Sequence, residues 1–340
     1  MMQLPTRHII TGGAGFIGSH LTETLLERGD RVVVLDNLQH AQRDWLEQVR
    51  IHPRLEICQG DLLHPEELRG LLTASDLVWH LAANTNMVIG AQNPQVDVEN
   101  GFLATQRLLE WMRSEGTHKL VFASSGAVYG DMARPPASEQ YGPLLPVSMY
   151  GATKLAGEAL LSAYHHVFGM QAWIFRFGNV LGARMSHGVV FDFIRKLREC
   201  PTALEILGDG TAEKNYILVE ECIDGMLWAL THTKPGFEIL NLGSPTTTTV
   251  NEIAQIVIED LGLRNVELRY AGGARGWPGD QPRVYMDVSK LRQLGWMTRY
   301  TSSEAVRIAT RRYLGKETGP TDRKESGKAE RSVGTRGTNS

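Results

Sequence analysis

The stretch "MYGATKLAG" places Tyr150 and Lys154 four residues apart, on one face of any helix it forms. A phenol that titrates near ~10 in water is a poor base at neutral pH, and a neighbouring positive charge is what stabilises its phenolate. Lys154 supplies such a charge, although the same spacing also describes an ordinary surface pair. Upstream, "FASSGAVYG" offers the hydroxyls of Ser124 and Ser125 and then two of the smallest side chains, Gly126 and Ala127. A site made from these residues can orient a hydroxyl-bearing substrate and pass one proton through a phenol. It has no carboxylate just after the serines to move a second proton.

A second cluster stands near the start of the chain, where "TGGAGFIGSH" directly follows the apolar run "RHIIT" and opens a helical stretch. Gly13, Gly15 and Gly18 fit G-x-G-x-x-G, and Gly12, Gly15 and Gly18 also fit T-G-x-x-G-x-x-G. Backbone N–H groups at a helix N-terminus can meet a pyrophosphate only where no Cβ stands in the way, which glycine alone permits. An isolated match would read as a bare glycine-rich turn. Here Asp36 ends the second apolar run, 18 residues beyond Gly18. A carboxylate at that point binds both ribose hydroxyls of an adenosine half and repels a 2′-phosphate, which favours NAD over NADP. Asp61 in "QGDL" has two readings, a contact to the adenine amine or the N-cap of a helix over "LLHPEELRGLL".

The elements that must hold these groups are legible as an alternation. The short apolar runs "RHIIT", "RVVVLD", "LEICQGD", "DLVWHLAA", "KLVFASS" and "QAWIFRFGN" are separated by helical patterns, which predicts a parallel sheet covered on both faces. "VENGFLATQRLLEWMRS" spaces Phe102, Leu103, Leu108, Leu109 and Met112 as a helix, and "KLAGEALLSAYHHVFG" does so with Leu155, Ala159, Leu160, Tyr164 and Val167. After Asn179 the rhythm gives way to glycine-rich loops and shorter elements, as in a separate lobe. Two capping boxes, Thr249 with Glu252 and Thr301 with Glu304, start helices in that part. The domains expected are 1–178 with 217–241 returning to it, a lobe of 179–216 and 242–315, and a disordered tail, 316–340, too polar to bury itself.

Composition narrows the classes. The 340 residues carry a net charge of −3, 42% hydrophobic and 21% charged residues, and no apolar run long enough to span a membrane. Neither nucleic acid nor membrane is indicated as a partner. Cys58, Cys200 and Cys222 show no metal-ligand spacing, so no metal is expected. With no signal-peptide pattern at the start, they fit a reducing, cytoplasmic setting.

Taken together, "TGGAGFIGSH", "HLAA", "FASSGAVYG", "YGATK", "RFGNVLG", "GDG" and "GWPGDQP" resemble the extended short-chain dehydrogenase/reductases, specifically the sugar-nucleotide epimerase/dehydratase group, from about Arg7 to Leu314. The resemblance implies an α/β, Rossmann-type doubly wound parallel sheet with a smaller C-terminal substrate-binding lobe. It implies NAD held by Gly12, Gly15, Phe16, Ile17, Gly18, Asp36, Asn37, Asp61, Leu62, Ala82, Ala83, Tyr150 and Lys154. It makes Ser125 the hydroxyl that steers the sugar, Tyr150 the acid/base and Lys154 its partner on the cofactor ribose. Contacts to a nucleotide-diphosphate sugar fall on Ser125, Tyr150, Asn179, His187, Val190, Lys214, Asp280 and Val284.

Dehydrating relatives carry an Asp-Glu pair at the positions of Gly126 and Ala127, and decarboxylating relatives carry a Glu at the second. Hydride transfer alone survives here, as in the 4-epimerases acting on UDP-glucose and UDP-galactose. In that reading Tyr150 removes the 4-hydroxyl proton, a 4-ketose turns over while bound, and reduction on the other face completes the inversion. Two departures stand out: Lys214 and Trp277 replace arginines that face the diphosphate in many epimerases, leaving Arg275 or Arg283 to compensate. Val284, two residues after Pro282, holds the place where a bulky tyrosine excludes N-acetylated sugars, so room for an acetamido group is expected. Relatives pair the helices of Leu103, Leu108, Met112 and of Leu155, Ala159, Tyr164 across a two-fold axis, which implies a homodimer. The rival readings are an NAD-linked sugar-nucleotide dehydrogenase or reductase, and a non-catalytic regulator that binds NAD or a nucleotide sugar.

Overall fold

A computed structural model describes residues 7–39, 43–131 and 136–316. The expected disordered tail lies outside the described residues from 317 onward. Seven parallel strands form one sheet in the order Phe237–Leu242, β6 (Gln171–Phe177), β5 (Lys119–Ser125), β4 (Leu77–His80), β1 (Arg7–Thr11), β2 (Arg31–Asp36), β3 (Leu55–Gln59). This is the doubly wound Rossmann-type architecture that the alternation of apolar runs predicts. Chain order reverses between β1 and β4, which opens a crevice beyond the carboxyl ends of the central strands, the usual ligand position in such sheets.

The strands are apolar throughout because both faces are covered. Ile10, Val34, Trp79, Val121 and Phe175 pack on one side with helices Phe16–Glu27 and Val219–His232. Their neighbours Ile9, Val33, Val78, Leu120 and Ile174 pack on the other with Ala104–Ser114 and Met149–Phe168, as the two-residue period of a strand requires. The edge strand β3 is the exception, with Glu56, Ile57 and Gln59 exposed.

The helices depart from their sequence patterns in instructive ways. Leu108, Leu109 and Met112 are fully buried against the sheet. The helical stretch before them is wound as a π-helix over Val98–Leu103. In Met149–Phe168 the anticipated stripe is displaced: Val167 is 68% exposed and Ala159 lies on the outside. The buried side runs instead through Gly151, Lys154, Glu158, Leu161 and Tyr164. Two charged residues therefore occupy core positions, which a search for apolar periodicity cannot find. The helix expected after Asp61 is only a short turn over Pro65–Leu68, and Asp61 does not cap it; its carboxylate instead accepts from Leu63 N–H at 2.9 Å.

Beyond Asn179 the lobe is built from paired short strands: Asn179–Leu181 with Tyr216–Leu218, Ala203–Ile206 with Glu267–Tyr270, and Glu213–Lys214 between Thr248–Thr249 and Arg283–Val284. Both capping boxes form, on helices Val250–Leu261 and Ser302–Tyr313. The lobe has its own core, including Phe193, Ile194, Ile253, Val257 and Val306. No helix among the described residues is long and apolar enough to cross a membrane.

Two histidines tie the sheet together in the neutral form. The ring of His80 bridges Thr11 Oγ1 at 2.8 Å and Thr105 Oγ1 at 3.0 Å, and burial pulls it down to about 3. His8, against Trp79 and Asp30, is pulled down by burial to about 4. Both titrate near ~6.5 when the chain is unfolded, so unfolding takes up protons below that pH. Their contribution is complete above ~6.5 and lost as pH falls, by up to ~1.4 kcal/mol per pH unit for each histidine. Urea unfolding between pH 7 and 5 is expected to show this decline, with a smaller slope in His80→Asn; an unchanged slope would mean that His80 is charged in the fold.

Candidate active site

The glycine loop is shaped by contacts that only glycine permits. Gly12 has φ +68°, and a Cβ there would lie 2.7 Å from Ala82 N; one on Gly18 would collide with Gly12 O. The loop is thereby drawn against β4, and Gly15 caps helix Phe16–Glu27 with no side-chain bond and no acidic residue in the first turn. The first N–H groups of the helix, including those of Phe16 and Ile17, are left for an anion. Asp36, at the end of β2, is held by backbone N–H groups from Ala14 at 3.1 Å and Leu38 at 2.9 Å. A carboxylate has acceptor capacity for further bonds, so this anchoring leaves it able to meet ribose hydroxyls. Asn37 donates to Asp61 at 3.4 Å, which brings both to the same rim. Ala82 and Ala83 follow β4, with Ala82 against Gly12 of the loop. The Leu62 side chain is buried in the core, so what it presents to a ligand is its backbone. The cradle, the bare helix terminus and the placed acid fit a dinucleotide.

Asp36→Ala is expected to reduce the preference for NAD over NADP by ~10-fold or more, since hydrogen bonds to a charged group and repulsion of the 2′-phosphate vanish together. Dissociation constants of both nucleotides by calorimetry measure it. An unaltered ratio would assign the ribose to another group.

At the end of β5, Ser125 accepts from Ala127 N–H at 3.1 Å, which turns its hydroxyl toward the cleft rim. Helix Met149–Phe168 begins with Ser148 capping Gly151 N–H at 3.1 Å, and this sets Tyr150 and Lys154 beside the serine. Burial pushes the Tyr150 phenol up to about 12, while its hydrogen bond with Ser125 pulls down and Asp97 pushes up. Burial pulls Lys154 down to about 8, and Asp97 and Glu158 hold it up. The Lys154 ammonium sits 5.7 Å from the Tyr150 ring and 5.1 Å from that of Phe122. The three residues picked from the sequence thus meet at one place, with a phenol that needs extra positive charge to ionise.

Gly126 is enclosed. A Cβ on it would lie 2.9 Å from Val284 Cγ1 and 3.1 Å from Met286 Sδ. Ala127 is buried as well. Val284, expected at the sugar, is 6% exposed and packed with Val128, Tyr129 and Met286. The Val190 side chain is buried in the core of the lobe, which leaves its backbone for a substrate contact. His187 is exposed on its loop, and Asn179 starts a strand with its N–H bonded to Asn215 O at 2.9 Å.

Lys214 is already engaged. Its ammonium lies 2.7 Å from Asp280 and 5.3 Å from the Trp277 ring centroid. Strand alternation puts Lys214 and Val284 on one face and Glu213 and Arg283 on the other. Arg283 is therefore turned away, paired with Glu213 at 3.2 Å beside a cavity of about 450 Å³ on that far face. Arg275 is the one that stays on the side of Lys214, donating to Asp280 O at 2.5 Å and pairing with Asp131.

Sequence reasoning missed a buried polar layer beneath these groups. Arg176 holds Glu158 through bonds of 2.6 and 3.0 Å, Ser124 donates to the same carboxylate at 2.5 Å, and the guanidinium stacks 4.8 Å from the Tyr129 ring. Tyr129 in turn donates to Asn241 at 2.6 Å. The one available signal was the position of Glu158, four residues after Lys154.

Residues 8–243 match the model of the NAD dependent epimerase/dehydratase family. A Methanocaldococcus jannaschii protein, provisionally named a UDP-glucose 4-epimerase, is 33% identical over 306 residues, 88% of this chain and 95% of its own. A crystal structure of a UDP-galactose 4-epimerase is 38% identical and superposes with a TM-score of 0.81 over 91% of this chain and 99% of that one. The dTDP-glucose 4,6-dehydratase DesIV from Streptomyces venezuelae, solved with NAD bound, is 28% identical, with a TM-score of 0.83 over 91% and 97%.

Proposed function

The chain belongs to the NAD dependent epimerase/dehydratase family, and from that premise we propose that it inverts C4 of a nucleotide-diphosphate hexose of the UDP-glucose/UDP-galactose type. The reading is carried by one observation. Ser125, Tyr150 and Lys154 stand together, while the two positions after Ser125 hold a glycine walled in by Val284 and Met286 and a buried alanine. Dehydration and decarboxylation need a further proton carrier there, and a carboxylate does not fit beside Val284 without moving it.

NAD, when bound, supplies acceptance and return of a hydride at the sugar carbon. Ser125 orients the 4-hydroxyl, and Tyr150 takes its proton and later returns one to the ketone oxygen. Lys154 provides the charge that brings the phenol within reach of neutral pH. The nucleotide end is gripped by the lobe through Lys214 and Arg275, which leaves the sugar free to turn over. Incubation with UDP-glucose and, in parallel, dTDP-, GDP- and CDP-hexoses without added cofactor tests this. Two isomers approaching equilibrium with no net NADH is the expected result. One turnover's worth of NADH would mean a dehydrogenase, and no reaction with any sugar a binding protein.

The assembly we propose is a homodimer. It is supported by the outer face of helix Met149–Phe168, where Ala152, Ala156, Ala159, Ala163 and Val167 recur at helical spacing and, apart from half-buried Ala156, are exposed. This face, and not the sheet-facing leucines, is the one available for pairing. Light scattering at micromolar concentration is expected to give twice the chain mass; a monomeric mass refutes it.

A further inference from the structure

Lys154 is 3% exposed, and among the described residues no carboxylate is within ion-pair distance of its ammonium. The groups around it are few. His80, on β4, is neutral; Phe122, on β5, and Tyr150, one turn earlier, present rings. Glu158, one turn later, is bound by Arg176 and Ser124. Asp97 remains, and it is 2% exposed.

The surroundings of Asp97 hold it in place: burial pushes its carboxyl up, while the Asn84 amide and the Lys154 ammonium pull it down. Asn84 donates to Oδ1 at 2.8 Å, while Oδ2 has no hydrogen-bond partner. That oxygen lies over Gly90 so closely that a Cβ there would come within 2.7 Å of the Asp97 Cγ. A buried orphan acceptor is costly, so its retention calls for a compensating charge nearby. Asp97 also opens the π-helical segment Val98–Leu103, whose Gly101 packs so tightly on Thr153 that a Cβ would stand 2.8 Å from the Thr153 Cβ. Thr153 immediately precedes Lys154. The segment carrying the carboxylate is thereby locked onto the turn carrying the amine.

We propose that Asp97, oriented by Asn84 in the slot left by Gly90, is a positioning residue that keeps Lys154 protonated in the working enzyme. The inference rests on the reading of Tyr150 and Lys154 given above. Burial works against the ammonium; Asp97 opposes burial most, and Glu158, held by its arginine, opposes it less. Asp97 also raises the phenol, so its removal lowers both groups and reduces the charged fraction of the amine at neutral pH.

The test is a pH titration of the NAD-loaded protein labelled with 13C at lysine Cε, with the Lys154 resonance identified by its absence in Lys154→Gln. In Asp97→Asn, which preserves shape and the bond from Asn84, the midpoint is expected to fall by about one pH unit or more. Asn84→Ser, which removes the amide that favours the charged carboxylate, is expected to shift it the same way by less. The alkaline limb of kcat/KM should move with the midpoint. Midpoints unchanged in both variants overturn the proposal, even if activity drops, because loss at all pH values alike is what a merely structural role gives. The resonance reports on Lys154 whether or not the sugar reaction is the one proposed, so the two readings fail separately.

Discussion

Tyr150→Phe is expected to lower turnover by ~10²–10⁴-fold or more while leaving the fold and NAD affinity close to wild type. The ring keeps its place on helix Met149–Phe168, and only the oxygen that exchanges a proton with the sugar is removed. The effect is large because Gly126 and Ala127 provide no substitute, and Lys154, buried beside the phenol, is placed to stabilise it and not to replace it. Stopped-time assays on a UDP-hexose, with calorimetry of NAD on the same preparation, read both halves of the expectation. Activity within a few-fold of wild type would remove Tyr150 from the mechanism.

The largest effect on stability is expected at the ion pair beneath the site. Arg176 and Glu158 have side chains only 3% and 5% exposed. Arg176→Met leaves Glu158 with the Ser124 hydroxyl as its remaining partner and is expected to cost about 3–5 kcal/mol in urea unfolding. Replacing both, as Glu158→Leu with Arg176→Met, should recover most of that loss, because two apolar side chains need no charge compensation. If the double variant is as unstable as the single one, the cost lies in the lost contacts of Arg176 to Tyr129 and not in the stranded carboxylate. The pair would then be packing, not electrostatics.

The motifs' resemblance to the family places Ser125 beside Tyr150; the pattern of residues is enough for the sheet, the glycine loop with Asp36, and the pairing of Tyr150 with Lys154. These are local consequences: apolar runs covered on both faces, N–H groups freed by glycine, and two side chains one helical turn apart. The membership of residues 8–243 in the family agrees with what those motifs resemble. Tertiary structure alone decided what surrounds them. Lys154 and Glu158 occupy buried positions of their helix, against the apolar pattern, and Arg176 on β6, far away in sequence, supplies the charge that pairs with Glu158. Likewise Gly126 is small because Val284, arriving from the lobe, stands against it, and Val284 is buried for the same reason. Arg275 and Arg283 are near neighbours in the chain, but strand alternation turns one toward Lys214's side and the other to the opposite face. Spacing along a chain fixes which residues share a turn or a strand face; which distant charge or methyl group meets them is set only when helices pack on the sheet and the lobe joins them.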